Sequence, residues 1–355
     1  MRRELLNLTK CLRCHGHSLV LGQHKANEVE IRSGEVVCSS CKRVYRIQSG
    51  ILDMRMETIE LGWETTQERV VAGVDDNWLL NSELGYRNAL DSDAGHFSFG
   101  MMLNYEKAVA EMKLTGNELL LDLGAGTTWL TNPLAQRGLK CVALDLVSQK
   151  YVGLESADVF MSHHDTYYER VLADMNSLPF VDSVFDIVLS HSAAHHSPSL
   201  GKTLAQLHSV LKPGGCLFLV NEPTSSVGKL FDAPLSDEEV LRGEHPHSFL
   251  EYMRALRSAG FRCVTTYYPP SLSGRLDALA TMARLRQPKG FGQNMKYAAV
   301  RQFIPLWKRS SMIRKLTERY FFWPYLLIVG HFTIIRAQKE QQERITRSGR
   351  NWRLV

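Results

Sequence analysis

The middle of the chain alternates short apolar runs with glycine turns and helix-length polar segments. The run Leu119–Leu123 has the composition of a buried parallel strand and leads directly into Gly124-Ala125-Gly126. A second apolar run, residues 141–144, ends at Asp145, 19 positions after Gly126. This order predicts half of a nucleotide-binding α/β fold, because glycines let the backbone approach a ligand and a carboxylate can accept hydrogen bonds from ribose hydroxyls.

Further strands and helices follow in the same alternation. Residues 185–190 predict a fourth strand, and residues 208–215 predict the end of a helix and a Pro-Gly turn. That turn enters a fifth strand at 216–220, and residues 249–264 predict a helix, a glycine turn and another strand. We therefore expect an α/β fold with a doubly wound, mostly parallel sheet.

The longest apolar run spans residues 320–335, and Pro324, Gly330 and His331 interrupt it. A helix that crosses a membrane needs about 20 apolar residues, so this run is too short. We expect two short elements, of which residues 331–336 form the last strand of the sheet. Peripheral contact with a membrane stays open as an alternative.

The glycine turn resembles the first motif of class I S-adenosyl-L-methionine (SAM)-dependent methyltransferases. Asp122 stands two residues before Gly124, in a D-x-G-x-G arrangement, and residues 173–180 resemble the third segment of that family. The resemblance departs at Thr128, where the family usually has a third glycine, so a slightly wider or more polar turn is expected. Trp129 stands where a dinucleotide-binding turn needs a small residue, which disfavours a dinucleotide ligand.

The resemblance implies a SAM-dependent methyltransferase with a doubly wound (Rossmann-like), seven-stranded sheet. In the family the motif glycines pass under the amino-acid part of SAM. The acid after the second strand, here Asp145, holds the ribose, and Asp174 matches the acid that meets the adenine amino group. The predicted SAM-binding residues are Asp122, Gly124, Ala125, Gly126, Thr128, Asp145, Leu146, Asp174, Met175 and Ser190.

Two cysteine pairs near the start of the chain have the spacing of a closed metal site. Cys11-x-x-Cys14 and Cys38-x-x-Cys41 are separated by 23 residues. Four thiolates on two tight turns predict a structural Zn²⁺ site, and a ribbon of about 50 residues needs such a metal for its stability. The alternative is two buried cysteine pairs without metal.

The segment around the second cysteine pair resembles zinc ribbons of the Trm112 type. The matching residues after that pair are Tyr45, Ile47, Gly50 and Ile51. A zinc ribbon followed by a methyltransferase is similar to a bacterial family of ribosomal-RNA guanine methyltransferases. The resemblance implies a structural metal and a surface that recognises a partner.

Composition places the chain among ordered globular proteins. It has 355 residues, of which 44% are hydrophobic and 22% charged, enough for one full-sized domain and a smaller one. The first residues lack the apolar core of a signal peptide, and seven cysteines do not suit a secreted disulfide framework. We therefore expect a cytoplasmic protein.

The expected domains are a zinc ribbon (1–56), a helical linker or lid (57–114), a methyltransferase domain (115–340) and a basic tail (341–355). The linker carries aromatic residues that either line a substrate slot or pack the linker onto the domain. These aromatic residues are Trp63, Trp78, Tyr86, Phe97, Phe99 and Tyr105.

Polar side chains after the fourth predicted strand are candidates for the chemistry. Methyl transfer mainly requires that two reactants be oriented, but an oxygen or protonated nitrogen acceptor also needs a base. The loop 190–196 carries His191, His195 and His196 at the carboxyl end of the sheet, where ligands bind in such folds. Glu222, just after the fifth strand, is a further candidate. The alternative for the histidines is packing against a helix.

Positive charge is concentrated in a predicted helical insert at about 271–326, before the last strand. The net charge of the chain is +5, and only Asp277 and Glu318 oppose the basic residues between positions 275 and 319. These basic residues are Arg275, Arg284, Arg286, Lys289, Lys296, Arg301, Lys308, Arg309, Arg314, Lys315 and Arg319. The cluster predicts an anionic acceptor, RNA or an anionic lipid surface; a solvated helical face is the alternative.

Three hypotheses for function follow. The first is SAM-dependent methyl transfer to an oxygen or nitrogen of a small or conjugated metabolite, and the second is methylation of an rRNA or tRNA base with the ribbon recognising RNA. The third is a non-catalytic module that binds SAM or a partner, in which Thr128 spoils the site. Binding of SAM separates the third from the others, and salt-dependent RNA binding favours the second.

Overall fold

The computed structural model describes residues 1–56, 74–81, 93–226, 235–237, 240, 243–271, 298, 301–303, 305–307, 309–328, 331–341 and 352–354. For residues 93–99, 318 and 352–354 the backbone alone is described. Two stretches of the predicted linker, 57–73 and 82–92, lie outside these ranges. So do the predicted basic positions Arg275, Arg284, Arg286, Lys289, Lys296 and Lys308.

The chain begins with a small antiparallel sheet that follows a 3-10 helix, Arg3–Leu8. Its strands are β1 (Leu19–Ala26), β2 (Ile31–Cys38), β3 (Val44–Gln48) and β4 (Ile51–Asp53). Each strand pairs antiparallel with the next. Buried and exposed side chains alternate along β3, so one face of this sheet meets the core and the other meets solvent.

Within the described residues, nine further strands follow. They are β5 (Leu119–Leu123), β6 (Lys140–Asp145), β7 (Glu169–Leu172), β8 (Phe185–His191), β9 (Leu211–Ser225), β10 (His247–Ser248), β11 (Cys263–Tyr267), β12 (Phe332–Gln338) and β13 (Trp352–Leu354). The order across the central sheet is β7-β6-β5-β8-β9-β12-β11. The strands from β7 to β9 pair in parallel, and β12 runs antiparallel between β9 and β11. The predicted doubly wound α/β fold is thus confirmed.

Helices cover the faces of this sheet. They are α1 (Asp93–Met112), α2 (Thr131–Gln136), α3 (Ala157–His164), α4 (Leu200–Val210), α5 (Phe249–Ser258), α6 (Ser311–Thr317) and α7 (Trp323–Ile328). One π-helical turn, Glu318–Phe322, joins α6 to α7. A capping box between Ser248 and Glu251 defines the start of α5. Within the described ranges, no helix combines the length and apolar character needed to cross a bilayer.

The small N-terminal sheet is continuous with the central sheet. Strand β4 pairs in parallel with β7, with Leu52 opposite Val171, and the Met54 amide donates to the Leu172 carbonyl at 2.9 Å. One buried apolar cluster includes side chains from both parts, among them Tyr45, Leu52 and Phe180. The N-terminal region therefore covers the edge of β7, which would otherwise be open.

A buried charge network joins the two parts of the sheet. The Arg170 side chain, on β7, is fully buried and donates to Glu30 at 2.6 Å and to Asp158 at 2.6 Å. Arg32 also contacts both carboxylates, at 2.6 Å from Glu30 and 2.8 Å from Asp158. Because each buried charge has a partner of opposite sign, the network fixes β2 against β7 and α3.

Strand β9 is longer than the sequence predicts. The predicted Pro-Gly turn at 212–215 lies inside it, and the register against β8 shifts there. Gly214 keeps the left-handed backbone of a turn (φ 84°), and its amide donates to the Lys339 carbonyl at 2.9 Å, so the predicted turn is present as an irregularity within β9. At its other end β9 continues past Val220 to Ser225, so Glu222 lies within the strand, opposite Thr333 of β12, and not after it. Similarly, His191 ends β8 instead of lying in the loop after it.

Candidate active site and metal centre

The glycine loop after β5 folds back onto the end of β6. The Gly124 and Ala125 amides both donate to the Leu144 carbonyl, at 2.8 and 3.0 Å. Gly124 (φ 70°) and Gly126 (φ 51°) have left-handed backbone, which favours glycine. A Cβ atom at Gly124 would also collide with the Ala193 side chain. Packing as well as backbone geometry therefore requires the first glycine.

Thr128 keeps the backbone conformation of the glycine that it replaces. Its φ is 67°, its side chain is buried, and its amide donates to the Ala125 carbonyl at 2.8 Å. The hydroxyl lies 2.8 Å from the Tyr168 hydroxyl. Of the two expected alternatives, a wider or a more polar turn, the hydrogen bond favours the second, because the Thr128–Tyr168 contact holds a conformation that is costly for a β-branched residue.

The carboxylate of Asp145 lies where the ends of three strands meet. It accepts from the Gly126 amide at 2.8 Å and from the Val147 amide at 3.0 Å. The Ala173 amide, directly after β7, donates to the Asp145 carbonyl at 2.9 Å. Leu146 follows and is half-buried. The glycine loop and the acid after the second strand therefore contact each other at the carboxyl edge of the sheet.

The remaining residues predicted to bind SAM divide into two groups. Asp174 and Met175 follow the end of β7, and Asp174 Oδ1 accepts from the Asn176 amide at 2.8 Å. Both are partly exposed at the carboxyl edge of the sheet. Ser190, in contrast, is fully buried, and its hydroxyl donates to Glu222 at 3.1 Å. Ser190 therefore contacts the protein interior.

Asp122 is a buried carboxyl on β5. Its Oδ2 accepts from the Thr131 hydroxyl at 2.6 Å, which joins β5 to the first turn of α2. Burial raises the pKa of Asp122 to about 7, and the nearby charge of Asp145 acts in the same direction. Asp122 thus links the strand before the glycine loop to the helix after it. Its carboxyl is partly protonated near pH 7.

The four predicted zinc ligands lie together at one end of the ribbon. The sulfur of Cys11 lies 3.5 Å from that of Cys41, and Cys14 lies 3.6 Å from Cys38. All four sulfurs lie within 4.8 Å of one another. Ligand sulfurs around tetrahedral zinc are about 3.8 Å apart, so these four fit Zn²⁺.

Two turns with the same geometry present these sulfurs. The Cys11 amide donates to the Gly16 carbonyl and the Cys38 amide to the Arg43 carbonyl, both at 2.9 Å. The fourth residue after each of these cysteines, His15 and Lys42, has left-handed backbone. Such paired turns bring each Cys-x-x-Cys pair to one edge of a tetrahedron. The sequence spacing therefore predicts this site well.

Glu222 is buried, and its carboxylate accepts hydrogen bonds from the turn after β8. Its Oε1 accepts from the Ala193 and Ala194 amides at 3.2 and 3.0 Å, and Oε2 accepts from the His195 amide at 3.1 Å. The Tyr252 hydroxyl adds a contact at 3.4 Å. These donors, with the His195 ring, lower the pKa of Glu222 despite its burial. Glu222 therefore positions the turn that packs on Gly124.

His195 and His196 form the 3-10 turn Ala194–His196. The His195 ring is buried between two carboxylates, with Nδ1 at 2.9 Å from Glu222 and Nε2 at 3.1 Å from Glu244. Burial lowers the pKa of His195, but these two hydrogen bonds outweigh it and raise the pKa to about 9. Burial and the neighbouring His195 charge lower the pKa of His196. Each ring nitrogen of His195 thus lies within hydrogen-bond distance of a carboxylate.

Comparison with known proteins agrees with this geometry. The family described as "Methyltransferase domain" matches residues 121–219, and the family described as "Trm112p-like protein" matches residues 2–50. Residues 121–219 belong to a class I SAM-dependent methyltransferase domain. It follows a Trm112-like domain in the same chain.

Curated relatives match the methyltransferase domain over part of their length. The malonyl-[acyl-carrier protein] O-methyltransferase of Marinomonas sp. is 30% identical over 178 residues, which are 48% of this chain and 63% of that protein. The demethylmenaquinone methyltransferase of Mycobacterium marinum is 31% identical over 120 residues, 34% of this chain and 48% of that protein. The chain thus spans less than two thirds of the length of either relative.

Solved structures resemble the chain at low sequence identity. The complex of the Haloferax volcanii Trm112 methyltransferase activator with a methyltransferase has a TM-score of 0.42 and 17% identity, and covers 75% of this chain and 97% of that chain. The Haemonchus contortus phosphoethanolamine N-methyltransferase 2 has a TM-score of 0.44 and 18% identity, and covers 72% of this chain and 60% of that chain.

His191, the last residue of β8, belongs to an aromatic group with Trp129 and Tyr105. Its ring lies 5.9 Å from the Trp129 ring and 6.3 Å from the Tyr105 ring, both edge-on. The Asn221 side-chain nitrogen lies 2.8 Å from His191 Nε2. Burial lowers the pKa of His191 to about 4, so its imidazole is neutral at pH 7.

The structure shows an asparagine network beside His191 that the sequence did not predict. Asn104 of α1 donates to Asn221 at 2.7 Å and to Ser271 at 2.9 Å, and Asn221 also donates to the Met101 carbonyl. Asn221 has left-handed backbone (φ 56°), which asparagine tolerates better than most residues. Two features of the sequence could have indicated this network. One is the polar Asn104 among the apolar positions of α1, and the other is the Asn-Glu pair at 221–222, just after the predicted fifth strand.

Proposed function

We propose that the chain transfers a methyl group from SAM to an acceptor at the carboxyl edge of its sheet. The observation that carries the proposal is the contact between the Gly126 amide and the Asp145 carboxylate, 2.8 Å apart. When bound, SAM supplies an electrophilic methyl group on a sulfonium centre. Asp145 would hold the ribose hydroxyls, Asp174 would meet the adenine amino group, and the backbone at Gly124 would pass beneath the amino-acid part.

The side chains of the site favour an acceptor that needs no base. A general base works best when its pKa lies near the working pH. Glu222 and His195 are held by several hydrogen bonds, and the pKa of His191 is lowered to about 4. We therefore propose His191 as an orienting group and an oxygen that is already ionised, such as a carboxylate, as the acceptor. The relative named as a malonyl-[acyl-carrier protein] O-methyltransferase supports an oxygen acceptor on a carrier-linked metabolite.

A basic and apolar surface on α6 and the following turn supports an anionic lipid surface as the place where the acceptor lies. Tyr320 and Phe321 are 62% and 72% exposed, which is unusual for such large apolar rings. Arg314, Lys315 and Arg319 are exposed beside them. Apolar side chains flanked by positive charge are typical of segments that lie in the interface of an anionic membrane.

Binding of SAM is the direct test of the proposed function. Calorimetry should show that SAM binds the wild-type protein and that Asp145→Asn weakens the affinity at least tenfold. Asp182→Asn is the matched control, because Asp182 is 69% exposed and precedes β8 at the opposite edge of the sheet. Equal affinity in wild type and Asp145→Asn would contradict the proposed site. Binding of SAM without transfer of a tritiated methyl group to any fraction of cell extract would favour a non-catalytic module.

Binding to vesicles separates an acceptor that lies at an anionic lipid surface from an acceptor base in RNA. The protein should sediment with vesicles that contain phosphatidylserine, and Phe321→Ser should weaken this binding several-fold. Trp78→Ser is the control, since Trp78 is 50% exposed elsewhere on the molecule. Binding to RNA with a steep salt dependence, without binding to vesicles, would favour the RNA methyltransferase instead.

The domain boundaries and the cellular compartment are part of the same proposal. We propose the division at residues 56, 114 and 340, with the cytoplasm as the compartment. Four thiols placed to bind Zn²⁺ must stay reduced, which supports a reducing environment.

A further inference from the structure

We propose that His195, His196 and Glu244 form a second metal site, of the two-histidine, one-carboxylate type, for a divalent first-row transition metal. Their ligand atoms all lie within 4.8 Å of one another. The cluster lies in the methyltransferase part of the chain, apart from the four cysteines. Binding at this cluster would therefore require a second metal ion per chain.

The orientation of His195 is the strongest argument. Its Nδ1 donates to the buried carboxylate of Glu222 at 2.9 Å, which turns Nε2 toward Glu244, 3.1 Å away. Histidines that bind metals usually donate their second ring nitrogen to a carboxylate in this manner. Glu222 in turn is fixed by backbone amides, so the ligand is oriented before any metal arrives.

The other two ligands are held beside His195 by backbone contacts. The His196 ring lies next to the His195 ring, with ring centres 4.2 Å apart, in the same 3-10 turn. The segment that carries Glu244 is fixed because the His245 amide donates to the His195 carbonyl at 3.0 Å. Strand β10 then pairs with the end of β9. Two elements distant in sequence thus converge on one point.

The donor set defines the class of metal. Two imidazole nitrogens and one carboxylate suit zinc, iron, manganese or cobalt, whereas magnesium and calcium prefer oxygen ligands alone. Ligand atoms around tetrahedral zinc lie about 3.3 Å apart, so the cluster must close slightly. The Glu244 side chain is 24% exposed, and this movement therefore leaves the core packed.

The site is joined to the glycine loop through one turn. The turn that carries both histidines begins after Ala193, whose side chain packs against Gly124. Three protein ligands leave a coordination position for an oxygen atom, as in catalytic metal sites. That an oxygen of the methyl acceptor fills this position rests on the proposed function; the metal site itself does not.

Metal content after zinc loading and desalting tests the inference. Wild-type protein should retain two zinc ions per chain, whereas Glu244→Gln and His196→Gln should retain one. His245→Gln is the matched control, as a neighbouring histidine outside the cluster, and should retain two. Cys14→Ser should lose the other ion. With Co²⁺, Glu244→Gln should lose the weak absorption of a nitrogen and oxygen site and keep the intense thiolate bands.

Two results would overturn the second site. One is a single zinc per wild-type chain that Cys14→Ser removes, and the other is two zinc ions retained by both Glu244→Gln and His196→Gln. Circular dichroism shows whether each variant is folded. SAM calorimetry on the same samples reports separately on the proposed function, because Asp145 and the glycine loop contact none of the three ligands through a described hydrogen bond.

Discussion

At the scale of single residues, the glycine loop is shaped by the neighbours of each position as much as by its own backbone. Gly124 and Gly126 both have positive φ, but a side chain at Gly124 would collide with Ala193, whereas the nearest atom to a Cβ at Gly126 is 3.9 Å away. Thr128 shows that a non-glycine residue can take this backbone when a hydrogen bond supports it. The motif alone does not distinguish these positions.

Alanine substitutions at the two glycines should therefore differ. Gly126→Ala should cost about 1 kcal/mol of unfolding free energy, which is the strain of a left-handed alanine. Gly124→Ala should cost at least twice as much and abolish SAM binding, because Ala193 must move as well. Urea unfolding and SAM calorimetry measure both effects. Equal losses in the two variants would show that packing against Ala193 is unimportant.

Asp122 should make stability depend on pH. Its pKa is raised to about 7 in the folded protein, against about 3.9 in an unfolded chain, so the native state binds the proton more tightly. The contribution of Asp122 is favourable at low pH and is lost as the pH rises through 7. Asp122→Asn should match wild type near pH 4 and be more stable at pH 8, by up to about 4 kcal/mol.

Unfolding in urea across this pH range checks the sign of the effect. The difference between variant and wild type isolates Asp122 from other titrating groups. Asp182→Asn, at an exposed carboxylate, should show no such trend. A stability difference that shrinks as the pH rises would contradict the proposed burial effect.

At the scale of elements, strands with continuous apolar runs are predicted well and their ends are not. Strand β5 occupies the predicted residues, but β9 extends through the predicted Pro-Gly turn and beyond Val220. Strand β12 pairs with β9 from Cys216 to Pro223, past the predicted end of the strand, and the Gly214 amide bonds to the Lys339 carbonyl before its predicted start. Those partners lie more than 100 residues away in sequence, so no local pattern reports them.

Strand β7 should depend on the charge network that joins it to the ribbon. Arg170→Met leaves Glu30 and Asp158 without this buried partner, and removal of one member of such a network costs about 3–5 kcal/mol. Arg55→Met is the control, because its partner Asp53 is 33% exposed and the pair should contribute less than about 1 kcal/mol. Urea unfolding of both variants gives the comparison. A loss at Arg170 no larger than that at Arg55 would show that the network adds little.

At the scale of the whole molecule, ribbon and methyltransferase share one sheet and one apolar cluster. The order β4-β7-β6-β5 makes the strands of the ribbon continuous with the strands that carry the glycine loop and Asp145. Loss of zinc should therefore destabilise the junction between β4 and β7 as well as the ribbon itself.

Removal of zinc with a chelator should increase hydrogen exchange at the Met54 amide, which bonds to Leu172 at the junction. Amides of β12, on the far side of the sheet, should stay protected. Cys14→Ser should reproduce the pattern without a chelator. Unchanged protection of Met54 after zinc loss, verified by metal analysis, would mean that the junction is stable by itself.

The sequence by itself determined the glycine loop, the acid at 145, the four cysteines and the positions of β5, β6, β8, β9, β11 and β12, whereas β7 was not predicted. These are local signals: spacing within a turn, an apolar run, or a motif shared with a family. Only the tertiary structure decided that Glu222 fixes a turn, that His195 lies between two carboxylates, and that β4 continues the sheet at β7. Such contacts join residues far apart in sequence, and the pKa values of Glu222 and His195 depend on burial and on these contacts. Local sequence patterns therefore do not predict them.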